Sequence, residues 1–168
     1  MKDFNRYWNA LNYAFIKYEN LKRKSNNIPY VIHPIRVALI LRSIGFSEFK
    51  NQDLMIAALL HDLIEDTNTT FDEIKNEFNE SIALLVNELS KPKDLNKEKW
   101  LETFINASEA AKIIKMADRI DNLMDMTQWP LEKQKSYAEQ GKIILEKCRN
   151  ANHKLASILQ KQIEMYLK

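Results

Sequence analysis

Apolar residues recur along this chain at the three- and four-residue spacing of helices that face a core. Phe4, Trp8, Leu11, Ala14/Phe15, Tyr18 and Leu21 form one such stripe, which predicts a first helix over about 3–24 ending in the basic cluster Lys22-Arg23-Lys24. Ser25 to Pro29 reads as a turn. Tyr30 to Ser43 reads as a second helix, with Pro34 in its first turn and Gly45 placed to close it in the left-handed conformation. A third helix is expected from Asp53 to Asp66, then a loop at 67–69, then Thr70 and Glu73 as a capping box opening a short helix through Phe78. Ser81–Leu89, about Lys97–Ile105, Ser108–Met126, Leu131 to about Arg149 and Ala151–Lys168 complete the pattern. The polar stretch from Lys91 to Lys99, which contains Pro92, predicts a mobile loop of the kind that borders active sites.

Composition agrees with this all-α reading of about eight to nine helices. Only two glycines and four prolines occur in 168 residues, too few for a sheet with many turns. Hydrophobic residues at 45% and charged residues at 29% fit a globular chain, and the length suits one domain, 1–168, with a sizeable core. The single cysteine, Cys148, excludes an intramolecular disulfide, and the N-terminus has no apolar segment of the signal type, so a reducing, cytoplasmic setting is expected. No apolar run reaches the length of a membrane span, and a net charge of +2 offers no general attraction to nucleic acid. The expected partners are therefore a small molecule, with neither nucleic acid nor membrane, and a homodimer as the assembly to test.

The run AALLHDLIEDT places four ionisable residues, His61, Asp62, Glu65 and Asp66, inside an apolar, helix-favouring stretch. On one continuous helix His61 would stack over Glu65 and Asp62 over Asp66. Burying such a patch is costly unless it is paired or holds a metal. Two further candidates lie on other helices: His33 in PYVIHP, and Asp118 in KMADRIDNL with Asn122 one turn on. Taken singly, each has a plain alternative. His33 packs or caps, Asp118 pairs with Lys115 or Arg119, Glu65-Asp66 is a solvated helix end, and His153 is a surface histidine without a role. Together, two imidazoles and two carboxylates suit Mn, ahead of Fe, Co or Zn, and disfavour Mg or Ca. Such an ion acidifies water and polarises phosphoryl oxygen, which points to hydrolysis. Glu65 and Asp66 stand where proton transfer to or from that water is needed.

PYVIHP, AALLHDLIEDT and KIIKMADRIDNL, in that order, resemble the HD superfamily, specifically the RelA/SpoT-type alarmone hydrolase domain, over roughly Ala14 to Met126. The resemblance implies a single compact HD-domain helical bundle with His33, His61, Asp62 and Asp118 as metal ligands and Glu65 with Asp66 as the catalytic acidic pair. It also implies substrate contacts from Arg23, Lys24 and Asn122. The basic pair suits the role, because guanidinium stacks on a purine or forks onto phosphate while ammonium offers a compact charge; its plain alternative is a solvated helix terminus. The implied reaction removes the 3′-diphosphate of guanosine 3′,5′-bis(diphosphate), or of its pentaphosphate relative, giving GDP or GTP and pyrophosphate.

Several positions depart from the family pattern. Tyr18 and Leu21 stand where histidine and glutamine are usual, the turn before His33 lacks its glycine, and Asp121 and Met124 replace a histidine and a residue that is often basic. Asn26 or Asn27 could supply the left-handed residue instead. All six metal and acidic positions remain. Two other readings are therefore carried. One is a different HD phosphohydrolase, acting as a nucleotidase, on deoxynucleoside triphosphates or on NADPH; the other is a non-enzymatic, metal-stabilised interaction module.

Overall fold

The computed structural model describes residues 2–168, with side chains from Asn5 onward, so Phe4, the first member of the predicted stripe, lies outside the described side chains. Regular structure among the described residues is helical, apart from one isolated bridge between Lys22 and Pro29. Cα packing separates the chain into two compact units. The first comprises the chain through Arg23 together with Ile28–Lys91, and the second comprises Lys24–Asn27 with Pro92–Lys168.

The first unit contains α1 (Lys2–Lys17), α2 (Ile32–Ser43), α3 (Gln52–Leu60), α4 (Leu63–Asp66), α5 (Phe71–Glu77) and α6 (Glu80–Leu89). Its centre is α3, whose residues Met55 through Leu60 are all fully buried and which packs against α1, α2 and α6. A helix without a polar face belongs inside a core. Gly45, with φ +110°, closes α2 as expected. Thr70 accepts from the Glu73 amide while the Glu73 side chain accepts from the Thr70 amide, so the expected capping box opens α5.

Three expectations in this unit need correction. Helix α1 stops at Lys17, and its inward row is Ala10, Ala14 and Tyr18, while Trp8 and Phe15 are about half exposed. Ala14 and Tyr18 thus keep their places in the predicted stripe, while small Ala10, which was not in it, faces inward and suits close packing on α3. The basic cluster is consequently not a helix terminus: Arg23 donates its amide to Ile28 O at 2.9 Å and Tyr30 donates to Leu21 O at 2.8 Å, which makes a small hairpin. Asn27, at φ +59°, supplies the left-handed residue. The helix predicted over 53–66 is broken at His61-Asp62, where Asp62 relaxes to φ −98°, ψ 0°. Counting α3 and α4 as one kinked helix leaves nine α-helices among the described residues, within the expected number.

The second unit contains α7 (Lys97–Glu102), a 3₁₀ turn (Thr103–Asn106), α8 (Glu109–Asp125), α9 (Leu131–Cys148) and α10 (His153–Tyr166). Ser108, which accepts from the Ala111 amide, caps α8, and Asn152, which accepts from the Leu155 amide, caps α10. Helices α8, α9 and α10 pack mutually. Gly141 on α9 admits the Ile163 side chain of α10 to within 3.1 Å of where a Cβ would stand, a close approach that a larger residue would obstruct.

Candidate metal centre and acidic pair

In the first unit the break between α3 and α4 turns two imidazoles onto one carboxylate. His33, in the first turn of α2, and His61, just past α3, are both buried, with ring centroids 5.1 Å apart. Their Nε2 atoms lie 3.5 and 3.2 Å from Asp62 Oδ2. His61 Nδ1 is 2.9 Å from Ala58 O. A carbonyl only accepts, so Nδ1 carries a hydrogen; Nε2 then meets Asp62 as an N–H donor when the ring is charged, or offers a lone pair to a cation when it is neutral. Two ring nitrogens and a carboxylate oxygen that converge in this way need positive charge among them, from a ring proton or from a cation. Imidazole nitrogens with carboxylate oxygen form a donor set suited to a transition metal, so the residues fit the group.

Tyr30, which received no role from the sequence, completes this corner. Its hydroxyl donates to Asp62 Oδ2 at 2.6 Å, and its ring packs on those of Tyr18 and His33. Burial and the Asp62 charge push the Tyr30 and Tyr18 hydroxyls far above their ordinary range, so both stay protonated donors. For Asp62 burial acts to raise the pKa. The His61 charge and hydrogen bonds from both imidazoles outweigh it and hold the carboxyl well below the usual carboxylate range.

Glu65 and Asp66 end α4 on an exposed surface. Glu65 accepts from the Lys91 amide at 3.0 Å, which ties the acidic pair to the start of the polar 91–96 segment. Although Asp66 reaches solvent, the protein packed beside its carboxyl partly desolvates it and raises its pKa; the Asp62 charge adds to this, a Tyr30 hydrogen bond opposes it and Glu65 adds a little more. A cavity of about 510 Å³ borders both carboxylates, with Asn20, Leu21 and the Thr67–Thr69 loop in its wall. Arg23 is buried and lies over the Tyr30 ring, 5.6 Å from its centroid.

In the second unit Asp118 is buried in the middle of α8. Lys115 Nζ stands 2.9 Å from its Oδ2, and Asn122 donates to its Oδ1 at 2.5 Å. Asn122, expected at the substrate, is thus first of all a partner of Asp118. Lys24 is exposed, beside Ser25 and Asn26, which donate to Asp125 Oδ2 and Oδ1 at 2.6 and 3.2 Å. Asp121, at the position where the family usually has histidine, is buried. Tyr30 had no role from the sequence although it stands in a quoted motif, and of the two pairings offered for Asp118 the described contacts show Lys115.

No helix among the described residues is long and apolar enough to cross a membrane. Residues 10–151 match the HD domain. The chain is 32% identical to guanosine-3′,5′-bis(diphosphate) 3′-pyrophosphohydrolase MESH1 of Danio rerio, over 94% of this chain and 91% of that protein. Similarity to the Homo sapiens MESH1 is 32% over 90% and 89%. The Aquifex aeolicus guanosine-3′,5′-bis(diphosphate) 3′-pyrophosphohydrolase is 36% identical over 78% of this chain, which corresponds to only 19% of that longer protein. Among solved structures, a metazoan ortholog of SpoT that hydrolyses ppGpp superposes with a TM-score of 0.87 and 30% identity, over 95% of this chain and 94% of that one. The chain belongs to the HD-domain family of metal-dependent hydrolases, within its group of guanosine-3′,5′-bis(diphosphate) 3′-pyrophosphohydrolases.

Proposed function

We propose that this protein removes the 3′-diphosphate of guanosine 3′,5′-bis(diphosphate) or its pentaphosphate relative, releasing pyrophosphate with GDP or GTP. The observation that carries the reading is the convergence of His33 and His61 Nε2 on Asp62 Oδ2, three residues before an exposed carboxylate pair. The similarity to the MESH1 hydrolases supports the choice of substrate. In this reading the two units form one HD domain acting in the cytoplasm, and Asp118 joins His33, His61 and Asp62 around a divalent ion, with Mn2+ as first choice. When bound, the ion would polarise a phosphoryl oxygen and lower the pKa of water.

The remaining work falls to the chain's own side chains. Glu65 accepts the proton as water adds to the phosphorus bonded to the 3′ oxygen, while that P–O3′ bond breaks and the pyrophosphate so formed is released. Asp66, whose pKa is raised mainly by desolvation, keeps its proton to higher pH than an ordinary aspartate and gives it to the departing 3′ oxygen. Arg23, Lys24 and Asn122 contact the nucleotide. Arg23 is already stacked on Tyr30, which limits its side-chain freedom before substrate arrives.

The test is a panel assay of Mn-loaded protein against guanosine tetraphosphate and pentaphosphate, deoxynucleoside triphosphates and NADPH. Pyrophosphate released from the guanosine compounds, with turnover lost on chelation and restored by Mn, is the expected result. Orthophosphate from NADPH, or cleavage of deoxynucleotides alone, would assign the site to another HD phosphohydrolase.

A further inference from the structure

Lys115 is an unusual lysine. Its ammonium is buried, stands 4.4 Å from the Trp100 ring centroid and 5.9 Å from that of Phe104, and touches Asp118 Oδ2 at 2.9 Å. Helix residues three apart share a face, so a lysine there reaches Asp118 without leaving the helix. Solvent-exposed lysine–carboxylate pairs of this spacing contribute little, because both side chains remain mobile and hydrated. Here two aromatic faces replace water around the ammonium, and Trp100 is itself 5% exposed. The lysine is therefore held where it stands. Together with Asn122 on Oδ1, it fixes both oxygens of Asp118 from within α8. A carboxylate has about four acceptor positions, and these two contacts orient the group by engaging both of its oxygens.

We propose that Lys115, caged by Trp100 and Phe104, is a positioning residue that orients the Asp118 carboxylate for metal binding. This rests on the reading of Asp118 as a ligand. The bond is direct and charge-assisted, so losing it frees the Asp118 side chain to rotate, and metal binding must then stop that rotation. Outer partners that orient metal ligands typically account for about 10- to 100-fold in affinity. Arg119, the neighbouring buried cation, is engaged elsewhere: it donates to Tyr137 O at 3.1 Å and lies 3.8 Å from that ring's centroid. Lys115 alone of this pair faces Asp118 in the contacts described.

The experiment titrates Mn into metal-free wild type, Lys115→Met, Lys115→Arg and Asp118→Asn by calorimetry, with thermal unfolding of each metal-free protein alongside. Lys115→Met should bind Mn about 10- to 100-fold more weakly, and Lys115→Arg, which keeps a cation in the cage, should recover most of that loss. Excess Mn should restore much of the Lys115→Met turnover, a recovery that a merely structural role would not produce. Wild-type Mn affinity in a folded Lys115→Met protein overturns the proposal. Should that variant not fold, Trp100→Leu replaces it: weaker binding supports the assignment and unchanged binding overturns it. If Asp118→Asn binds Mn like the wild type, the ligand reading itself fails and takes this inference with it. If only Lys115→Met and Trp100→Leu do so, the inference fails alone.

Discussion

The two ends of the short segment His61–Asp66 are built on opposite principles. At its start, His61 and Asp62 are clamped: a backbone carbonyl aims one ring, a tyrosine hydroxyl holds the carboxylate, and a second histidine arrives from a different helix. At its end, Glu65 and Asp66 face an open cavity and are exposed. The difference teaches a division of labour. Groups that hold an ion benefit from fixed geometry and low solvent access, whereas groups that pass protons need contact with water and some freedom to move.

The contrast can be broken most severely at Glu65. Glu65→Gln should lower turnover by about 10²- to 10⁴-fold, the range for a positioned proton-transfer group, while Mn affinity measured by titration stays near wild type. Unchanged turnover, or lost metal with lost turnover, would erase the distinction between the two ends. A smaller effect is expected at the clamped end. Tyr30→Phe removes one hydrogen bond to a charged group and should lower kcat/KM by about 10- to 100-fold, with weaker Mn binding as the accompanying signature. A drop confined to KM for the nucleotide would instead place Tyr30 at the substrate. The smallest effect lies just beyond the open end: Thr70→Ala should cost about 1 kcal/mol of stability in denaturant unfolding by uncapping α5, and leave kcat unchanged. Turnover falling in step with stability would mean that the loop after Asp66 is part of the working site.

These experiments also mark how far the chain could be read before its structure was known. The helices, the Thr70/Glu73 capping box, the positive φ at Gly45 and a left-handed asparagine in the 25–29 turn were all legible, because each depends on neighbours within a few residues. The break at His61-Asp62 was not. AALLHDLIEDT has unbroken helical periodicity, and at the break two side chains are engaged sideways by Tyr30 and His33, in contacts 28 (His33–His61) to 32 (Tyr30–Asp62) residues distant in sequence. Trp8 and Phe15 were placed inward on α1, and Ala10 was passed over, for a related reason. Bulk marks hydrophobicity, but Ala10 and Ala14 are what permit close contact with α3, and size complementarity with another helix is invisible in a local window. Tyr30 had a motif position without a function, since only three-dimensional contact shows which carboxylate it serves, and the same contacts single out Lys115 over Arg119 beside Asp118.

The bond from His61 Nδ1 to Ala58 O, made within a single turn of chain, has a thermodynamic consequence of its own. The ring is oriented by the polypeptide that carries it, so the ordering entropy of this ligand is settled when the protein folds and not when an ion arrives. The corner thereby behaves as a mould more than as a clasp: its shape belongs to the sequence, and an ion that leaves can be replaced by another without the imidazole having to find its place again.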